Sequence, residues 1–374
     1  MVGVSRAGKT VFLSQLIKYI TDYGQKIGLS IVPANDSSTQ FVELHPVKKQ
    51  QSLPGGTPPG HFEQPLCFQL EKRIGTQIKK STIVLYDVAG EVLVQQDIVE
   101  KFAPFISHSD GVIYIVDPEQ FENVATVYDR NLEERVKPEL VLNQISGYLR
   151  NPALEKVSEL RKQNPGLIGE EEQRMVNDEL RQIPIAVVLS KVDERNVLDA
   201  MLASDPDCNE AIKELGVVLG QNGRNQSVFN AKAYNKLGKA LNTFVSNNAG
   251  VLRANLDTHF TDFAFFAVSS LGCSCENVEV DGRQVFGPID MPRPKRIEEP
   301  FYWLLYKFGL LEADEEVYSP ADKFNVCPRC SSVQTEDYDV EEDPAFNGLF
   351  KNFNKEYKEK KNHSLRCRIC KYTW

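Results

Sequence analysis

The first ten residues contain the spacing of a phosphate-binding loop. They read G-V-S-R-A-G-K-T from Gly3 to Thr10, which is the pattern G-x-x-x-x-G-K-T. In such a loop, backbone N–H groups and the start of the following helix point at phosphate oxygens. Lys9 is expected to bridge the β- and γ-phosphates, and the Thr10 hydroxyl to bind Mg²⁺. The residues predicted to contact phosphate are Gly3, Ser5, Arg6, Ala7, Gly8, Lys9 and Thr10.

A second polar pattern follows an apolar run in L-Y-D-V-A-G-E. Asp87 ends the run, and Gly90 stands three residues later. A carboxylate at that place can hold Mg²⁺ through water, and a glycine N–H can meet a γ-phosphate. The alternative is an ordinary turn, since Asp and Gly are frequent at strand ends. The position on a predicted strand, after the phosphate loop, favours the metal-binding interpretation.

A third pattern, L-S-K-V-D, also follows an apolar run. It contains Ser190, Lys191 and Asp193. A carboxylate can accept two hydrogen bonds from the ring N–H and the exocyclic amine of guanine, and a lysine stem can lie along the plane of the base. Adenine offers no such pair of donors, so the pattern predicts recognition of guanine. The alternative is a loop after a buried strand.

In chain order, these motifs resemble those of P-loop GTPases of the translation-factor-related (TRAFAC) class. Ser190 stands where that family usually has Asn or Thr in its N-K-x-D or T-K-x-D motif. The loops G-G-T-P-P-G and D-V-A-G-E and the segment E-E-P-F-Y-W-L-L-Y-K-F-G-L-L are similar to the bacterial double-GTPase type of domain. The resemblance covers residues 1 to about 312. It also assigns a base-contacting loop, whose N–H groups meet the guanine carbonyl, to Ser269, Ser270 and Leu271.

The resemblance implies a Mg²⁺-dependent switch or slow GTPase that hydrolyses GTP to GDP and phosphate. Lys9, Thr57 and Glu91 are its candidate catalytic residues, with Thr10, Thr57 and Asp87 around Mg²⁺. Thr57 would close on Mg²⁺ and the γ-phosphate; alternatively, it lies in a Pro- and Gly-rich loop without a role. Glu91 stands where many small GTPases have a Gln that orients water. A carboxylate cannot donate to the γ-phosphate, so we expect slow hydrolysis, unless Glu91 only faces solvent.

Two other functions compete with this one. The chain could be a nucleotide-binding scaffold without useful turnover, which Glu91 favours, or an ATPase, which the selectivity of Asp193 would exclude. Double-GTPase domains are associated with bacterial multi-component conflict or defence systems, so the resemblance implies a protein effector or partner. The net charge of −9 opposes broad binding of the chain to nucleic-acid phosphates. A nucleic-acid partner is therefore favoured only by the basic C-terminal end.

The C-terminal cysteines form two C-x-x-C pairs. Two such pairs can complete a tetrahedral zinc site, here Cys327, Cys330, Cys367 and Cys370. The 36 residues between the pairs exceed the spacing of an ordinary zinc ribbon. Unpaired buried thiols or a redox pair are the alternatives. The surrounding residues 313–374, first acidic and then basic, are predicted to be a separate zinc-ribbon-like module.

The sequence does not open with a charged region followed by an apolar run, so no signal peptide is expected, and no apolar run is long enough for a membrane span. The C-x-x-C pairs are therefore interpreted as metal ligands in a reducing compartment, and a cytoplasmic location without a membrane partner is expected. The 374 residues are 41 % hydrophobic and 25 % charged, which is ordinary for globular domains.

The elements that must position these motifs alternate between strands and helices. We predict a P-loop NTPase three-layer α/β sandwich over 1–312, with a mostly parallel sheet and helical insertions near 118–182 and 195–255. A hairpin from L-C-F-Q-L-E-K-R-I to K-S-T-I-V-L-Y-D-V-A-G precedes buried strands that end near Asp117, Ser190 and Ser269. Residues 28–60 are expected to be irregular. Only Met1 and Val2 precede the first glycine, so a longer first strand is expected upstream.

Overall fold

The computed structural model describes residues 1–3, 7–44, 53, 66–74, 76–85, 106–121, 123–124, 137–163, 183–212, 220–221, 227–280, 283–320, 335–338 and 364–367. Its strands, in chain order, are β1 (Val2–Gly3), β2 (Leu29–Pro33), β3 (Leu66–Ile74), β4 (Gln77–Leu85), β5 (Val112–Val116), β6 (Ile185–Leu189), β7 (Gly220–Gln221), β8 (Ser227–Phe229), β9 (Phe263–Ala267), β10 (Cys275–Val280), β11 (Arg283–Pro288), β12 (Glu312–Ala313), β13 (Thr335–Tyr338) and β14 (Ser364–Cys367). Its helices are α1 (Lys9–Tyr23), α2 (Asp36–Leu44), α3 (Pro138–Leu149), α4 (Asn151–Gln163), α5 (Arg195–Ser204), α6 (Ala231–Asn248), α7 (Gly250–His259) and α8 (Glu299–Lys307).

A parallel four-stranded sheet forms the centre of the fold. Its strand order is β1-β5-β6-β9, and each neighbouring pair runs parallel. The strands V-I-Y-I-V, I-A-V-V-L and F-A-F-F-A are buried at every position, as expected for a sheet covered on both faces. The predicted α/β class with a parallel sheet is therefore confirmed.

Helices α1 and α8 cover part of this sheet. Phe12, Leu16 and Ile20 repeat on one face of α1, at the spacing that buries a single helix face, and they belong to the same hydrophobic core as the sheet. Trp303 of α8 is almost completely buried, and its ring lies edge-on to Phe266 of β9 at 5.8 Å. The sheet and both helices therefore share one core.

An antiparallel sheet lies before β5 in the chain. β3 pairs with β4 from Leu66 to Leu85, as the sequence predicts, but β2 adds a third strand on the other side of β3. The expectation that residues 28–60 are irregular is wrong for β2 and α2. β2 was missed because four of its five residues are partly or fully exposed and it ends in Pro33, so its apolar pattern is weak.

The two predicted insertions contain the expected helices. α3 and α4 lie within 118–182, and α5, α6 and α7 lie within or just beyond 195–255. The second insertion is not purely helical, because β7 and β8 interrupt it and β8 pairs with β12. The hairpin β10–β11, which follows the predicted base-contacting loop, was not predicted.

None of the helices in the described part of the chain combines the length and apolar character needed to cross a bilayer. At the C-terminal end, β13 pairs antiparallel with β14, so that Thr335 lies opposite Cys367.

Candidate functional site

The ends of the four parallel strands bring several predicted motifs to one edge of the sheet. β1 leads into the predicted phosphate loop, β6 leads into Ser190, and β9 leads towards Ser269. Since all four strands run parallel, their carboxyl ends lie at the same edge, which is where ligands bind in open α/β sheets. Asp117 follows β5 at this edge and was not among the predicted site residues.

The described part of the predicted phosphate loop forms the N-terminus of α1. Gly8 has φ 77° and ψ 23°, a left-handed conformation that favours glycine, and it forms the N-cap of α1. Its carbonyl accepts a 2.8 Å hydrogen bond from the Phe12 N–H. No acidic side chain stands in the first turn of α1, so none opposes an anion there. Lys9 is only 7 % exposed, and Ala7 is fully buried.

The start of the S-K-V-D segment is hydrogen-bonded to the end of β5. The Ser190 N–H and hydroxyl both donate to the Val116 carbonyl, at 2.9 and 3.1 Å. Lys191 then has φ 54°, the left-handed region that non-glycine residues rarely occupy, and its carbonyl accepts from the Glu194 N–H at 3.0 Å. The strand ends of β5 and β6 therefore fix the direction in which this loop leaves the sheet.

The Lys191 side chain is bound by Asp117. Its ammonium lies 2.6 Å from Asp117 Oδ2, and Asp117 Oδ1 accepts from the Glu119 N–H at 3.1 Å. The Asp117 side chain is only 1 % exposed, whereas that of Lys191 is 36 % exposed. The sequence could have indicated Asp117 as a site residue, since it is a carboxylate directly after a fully apolar strand.

Acidic groups cluster beside Asp193, the residue predicted to read the base. Burial raises the pKa of the Glu194 carboxyl, and the nearby charges of Asp193 and Glu119 raise it further. Burial likewise raises the pKa of Cys275 to about 11, with Cys273, Glu194 and Asp193 adding to the shift. These interactions place the S-K-V-D loop beside the chain that follows the predicted base-contacting loop.

The predicted base-contacting loop is tied to a returning segment of the chain. Ser269 and Lys295 form a bridge, and the Arg293 N–H donates to the Leu271 carbonyl at 2.7 Å. Ser269 is buried, and its hydroxyl oxygen accepts a hydrogen bond from the Gly272 N–H at 2.8 Å. Ser270 lies between these bonds and is partly exposed. These hydrogen bonds join the loop to residues 293–295.

The returning segment also contacts the second insertion. The Lys295 ammonium donates to the Ile212 carbonyl at 3.1 Å, and Arg296 donates to the Glu210 carbonyl at 3.4 Å. Arg296 also forms a buried ion pair with Glu299 of α8. The predicted base-contacting loop is therefore linked to the insertion and to α8 through adjacent residues, none of which the sequence indicated.

Several predicted site residues lie outside the described part of the chain. They are Ser5, Arg6, Thr57, Asp87, Gly90, Glu91, Cys327, Cys330 and Cys370. Of Cys367, only the backbone is described. Among the described residues, no group of three or more His, Cys, Asp or Glu side chains could hold a metal ion. The residues around Gly8 and Lys9 nevertheless fit a bound phosphate, because a lysine occupies the first position of a helix N-terminus.

Comparison of the chain with protein families, with curated proteins and with solved structures gives no significant match.

Proposed function

We propose that this protein is a Mg²⁺-dependent GTP-binding switch or slow GTPase. One observation carries the proposal: the phosphate loop, the S-K-V-D segment and the S-S-L segment follow β1, β6 and β9 of one parallel sheet and reach the same edge. A P-loop NTPase sandwich needs this arrangement, because the phosphates and the base of one nucleotide must be contacted together.

The phosphate end of the site would be formed by α1. The left-handed Gly8 lets the backbone turn into the helix, and the N-terminal turn would present N–H groups and Lys9 to the phosphates. Thr10 would contribute its hydroxyl to Mg²⁺, with Asp87 and Thr57 as further candidates. The bound Mg²⁺ would neutralise phosphate charge during transfer of the phosphoryl group to water.

The base end of the site would be formed by Asp193 and by the loop from Ser269 to Leu271. Asp193 would accept from the two guanine donors, and the loop N–H groups would donate to the guanine carbonyl. The bridge between Ser269 and Lys295 supports this role, because a loop that reads a base by its backbone must be held rigidly.

The variant Asp193→Asn tests the base assignment. It replaces one carboxylate acceptor by a donor, which faces the guanine amine and costs roughly 1–3 kcal/mol. GTP binding should weaken by about one to two orders of magnitude, and XTP, which has a carbonyl in place of the amine, should gain affinity. Competition of labelled GTP by GTP, ATP and XTP on both proteins measures this. A wild type that prefers ATP, or an equal loss for all three nucleotides, would refute guanine recognition.

Turnover distinguishes a slow GTPase from a nucleotide-binding scaffold. Glu91 would accept a hydrogen bond from the attacking water but could not donate to the γ-phosphate. We therefore expect a measurable but slow single-turnover conversion of GTP to GDP, which a partner accelerates. Absence of conversion, with tight GTP binding, would support the scaffold. The resemblance to double-GTPase domains favours a protein partner within a bacterial conflict or defence system.

A zinc-ribbon-like module after residue 312 completes the proposal. The pairing of β13 with β14 supports it, since Thr335 lies opposite Cys367 although 31 residues intervene between them. Thr335 follows Cys330 by five positions. This register places Cys367 opposite a residue that follows the first C-x-x-C pair closely in the sequence, which favours a four-cysteine site.

A further inference from the structure

Asp117 occupies an unusual position for a charged residue. It directly follows β5 and is 1 % exposed, at the sheet edge to which the predicted nucleotide motifs converge. Buried carboxylates need partners, and among the described residues Asp117 has two: the Lys191 ammonium at 2.6 Å and the Glu119 N–H at 3.1 Å. Because one of these partners lies in the S-K-V-D segment, Asp117 links the end of β5 to the predicted base-reading loop.

Lys191 combines an unusual backbone conformation with a bound side chain. At φ 54° its backbone lies in the left-handed region, which costs a lysine of order 1–2 kcal/mol relative to an ordinary conformation. Two backbone hydrogen bonds, from Ser190 to Val116 and from Glu194 to Lys191, hold the turn, and the ion pair with Asp117 fixes the side chain. The lysine stem is thereby held at the sheet edge with its end anchored.

We propose that Asp117 is a positioning residue for base recognition. By binding the ammonium of Lys191, it would hold the lysine stem flat against one face of the guanine ring while Asp193 reads the ring edge. Asp117 would not contact the nucleotide. The inference rests on the proposed GTP-binding function and adds a residue that the motif pattern does not contain.

The geometry also distinguishes this role from metal binding. A carboxylate after an apolar strand, next to the strand that leads into a phosphate loop, is a place where a Mg²⁺-holding aspartate could stand. In this protein both oxygens of Asp117 are engaged, Oδ2 by a cation and Oδ1 by a backbone N–H. These donors would compete with a metal ion, so the pairing with Lys191 favours positioning.

The test compares Asp117→Asn with Lys191→Met and with the double variant. Asn keeps the size of the side chain and an acceptor for the Glu119 N–H but removes the charge that binds Lys191. Met keeps an apolar stem and removes the ammonium. Asp110→Asn is the matched control, because Asp110 is an exposed aspartate just before the opposite end of the same strand. Thermal melting establishes that each variant is folded.

Binding of GTP and of inorganic tripolyphosphate is measured by competition with labelled GTP. Asp117→Asn should weaken GTP binding about tenfold and leave tripolyphosphate binding within about twofold of wild type, since only the base contact changes. In the Lys191→Met background, Asp117→Asn should have less than a twofold further effect, because the two residues act through one interaction. The control should bind both ligands like the wild type.

Five results would overturn the proposal. An equal loss of GTP and tripolyphosphate binding would mean that Asp117 supports the phosphate loop or the fold. A raised Mg²⁺ requirement would make it a metal ligand, and additive effects of the two substitutions would separate it from Lys191. Unchanged GTP binding in Asp117→Asn, with a guanine-selective wild type, would refute this inference alone. A wild type without guanine selectivity would refute the proposed function and this inference together.

Discussion

Ser269 and Lys295 exchange two backbone hydrogen bonds across the start and the end of a 27-residue excursion of the chain. The Ser269 N–H donates to the Lys295 carbonyl at 3.2 Å, and the Lys295 N–H donates to the Ser269 carbonyl at 2.8 Å. Between them, the Leu271 carbonyl accepts from the Arg293 N–H, and the Ser274 carbonyl accepts from the Ile289 N–H. The backbone pairing then continues into the β10–β11 hairpin. The predicted base-contacting loop is thus the inner end of a long two-stranded ribbon.

Gly272 tests whether the ribbon holds the loop in place. Its φ is +63°, and a Cβ added there would lie 1.8 Å from the Arg293 carbonyl oxygen, a backbone atom that cannot move alone. Gly272→Ala should therefore force the strands apart and reduce GTP affinity at least tenfold, which corresponds to about 1.4 kcal/mol. Isothermal titration with GTP measures the effect.

Gly147→Ala is the control for this substitution, because nothing lies within 4 Å of its added Cβ. In helix α3 it should leave GTP binding unchanged and stabilise the fold slightly, since Ala favours a helix over Gly. Wild-type GTP affinity in Gly272→Ala would show that the base-contacting loop lies elsewhere.

Lys9→Ala tests the phosphate loop. The substitution removes the cation expected at the β- and γ-phosphates, so GTP affinity should fall at least tenfold, or about 1.4 kcal/mol. Lys18→Ala is the control on the same helix, where Lys18 is exposed and pairs with Asp22 at 2.7 Å. Equal GTP affinities of a folded Lys9→Ala variant and the wild type would rule out the phosphate-loop assignment.

Zinc content tests the C-terminal module. Purified protein should carry about one zinc ion per chain, and changing both Cys327 and Cys330 to Ser should release it while leaving GTP binding largely intact. Changing Cys273 and Cys275 to Ser is the control, and the zinc should then remain. Elemental analysis gives the metal content, and a native protein without zinc would contradict the prediction.

Glu299 should make the stability depend on pH. Burial raises its carboxyl pKa from 4.5 to about 7, Arg296 opposes the shift, and Glu298 adds to it. Between pH 4.5 and 7 the folded protein then binds more protons than the unfolded chain, so this group's stabilising contribution, present below pH 4.5, is lost as the pH rises. The loss should be on the order of 1–3 kcal/mol.

The variant Glu299→Gln cannot titrate at this position. Its free energy of unfolding, measured in urea between pH 5 and 8, should rise relative to that of the wild type as the pH increases. Glu276→Gln, at an exposed carboxylate of the hairpin, controls for the loss of one charge. Parallel pH curves for the wild type and Glu299→Gln would show that Glu299 does not titrate in this range.

The sequence predicted the parallel sheet because its strands are short apolar runs that end in polar residues. It missed β2, whose residues are mostly exposed, and the β10–β11 hairpin, in which Glu276, Glu279 and Arg283 dilute any apolar pattern. Local pattern is a weak signal where a strand gains its stability from pairing instead of from a buried face.

Within the site, local patterns indicated the residues of the motifs but not their supports. Lys191 and Ser269 belong to recognisable motifs, whereas Asp117 and Lys295 lie far from them in the sequence. Lys191 meets Asp117 across 74 positions of the chain, and no spacing rule within one segment could have joined them. Such partners become visible only when the strand order is known.

The strand order also determines when the proposed site can form during folding. Val2 pairs with Tyr114, Tyr114 with Val187, and Val187 with Phe265, so each step joins segments more than 70 residues apart. Such contacts give the sheet a high contact order and slow closure. During synthesis, the predicted phosphate loop emerges before the predicted base-contacting loop, which cannot join it until β9 has been made and docked. A nucleotide that contacts both ends would therefore bind late and stabilise the completed sheet against unfolding.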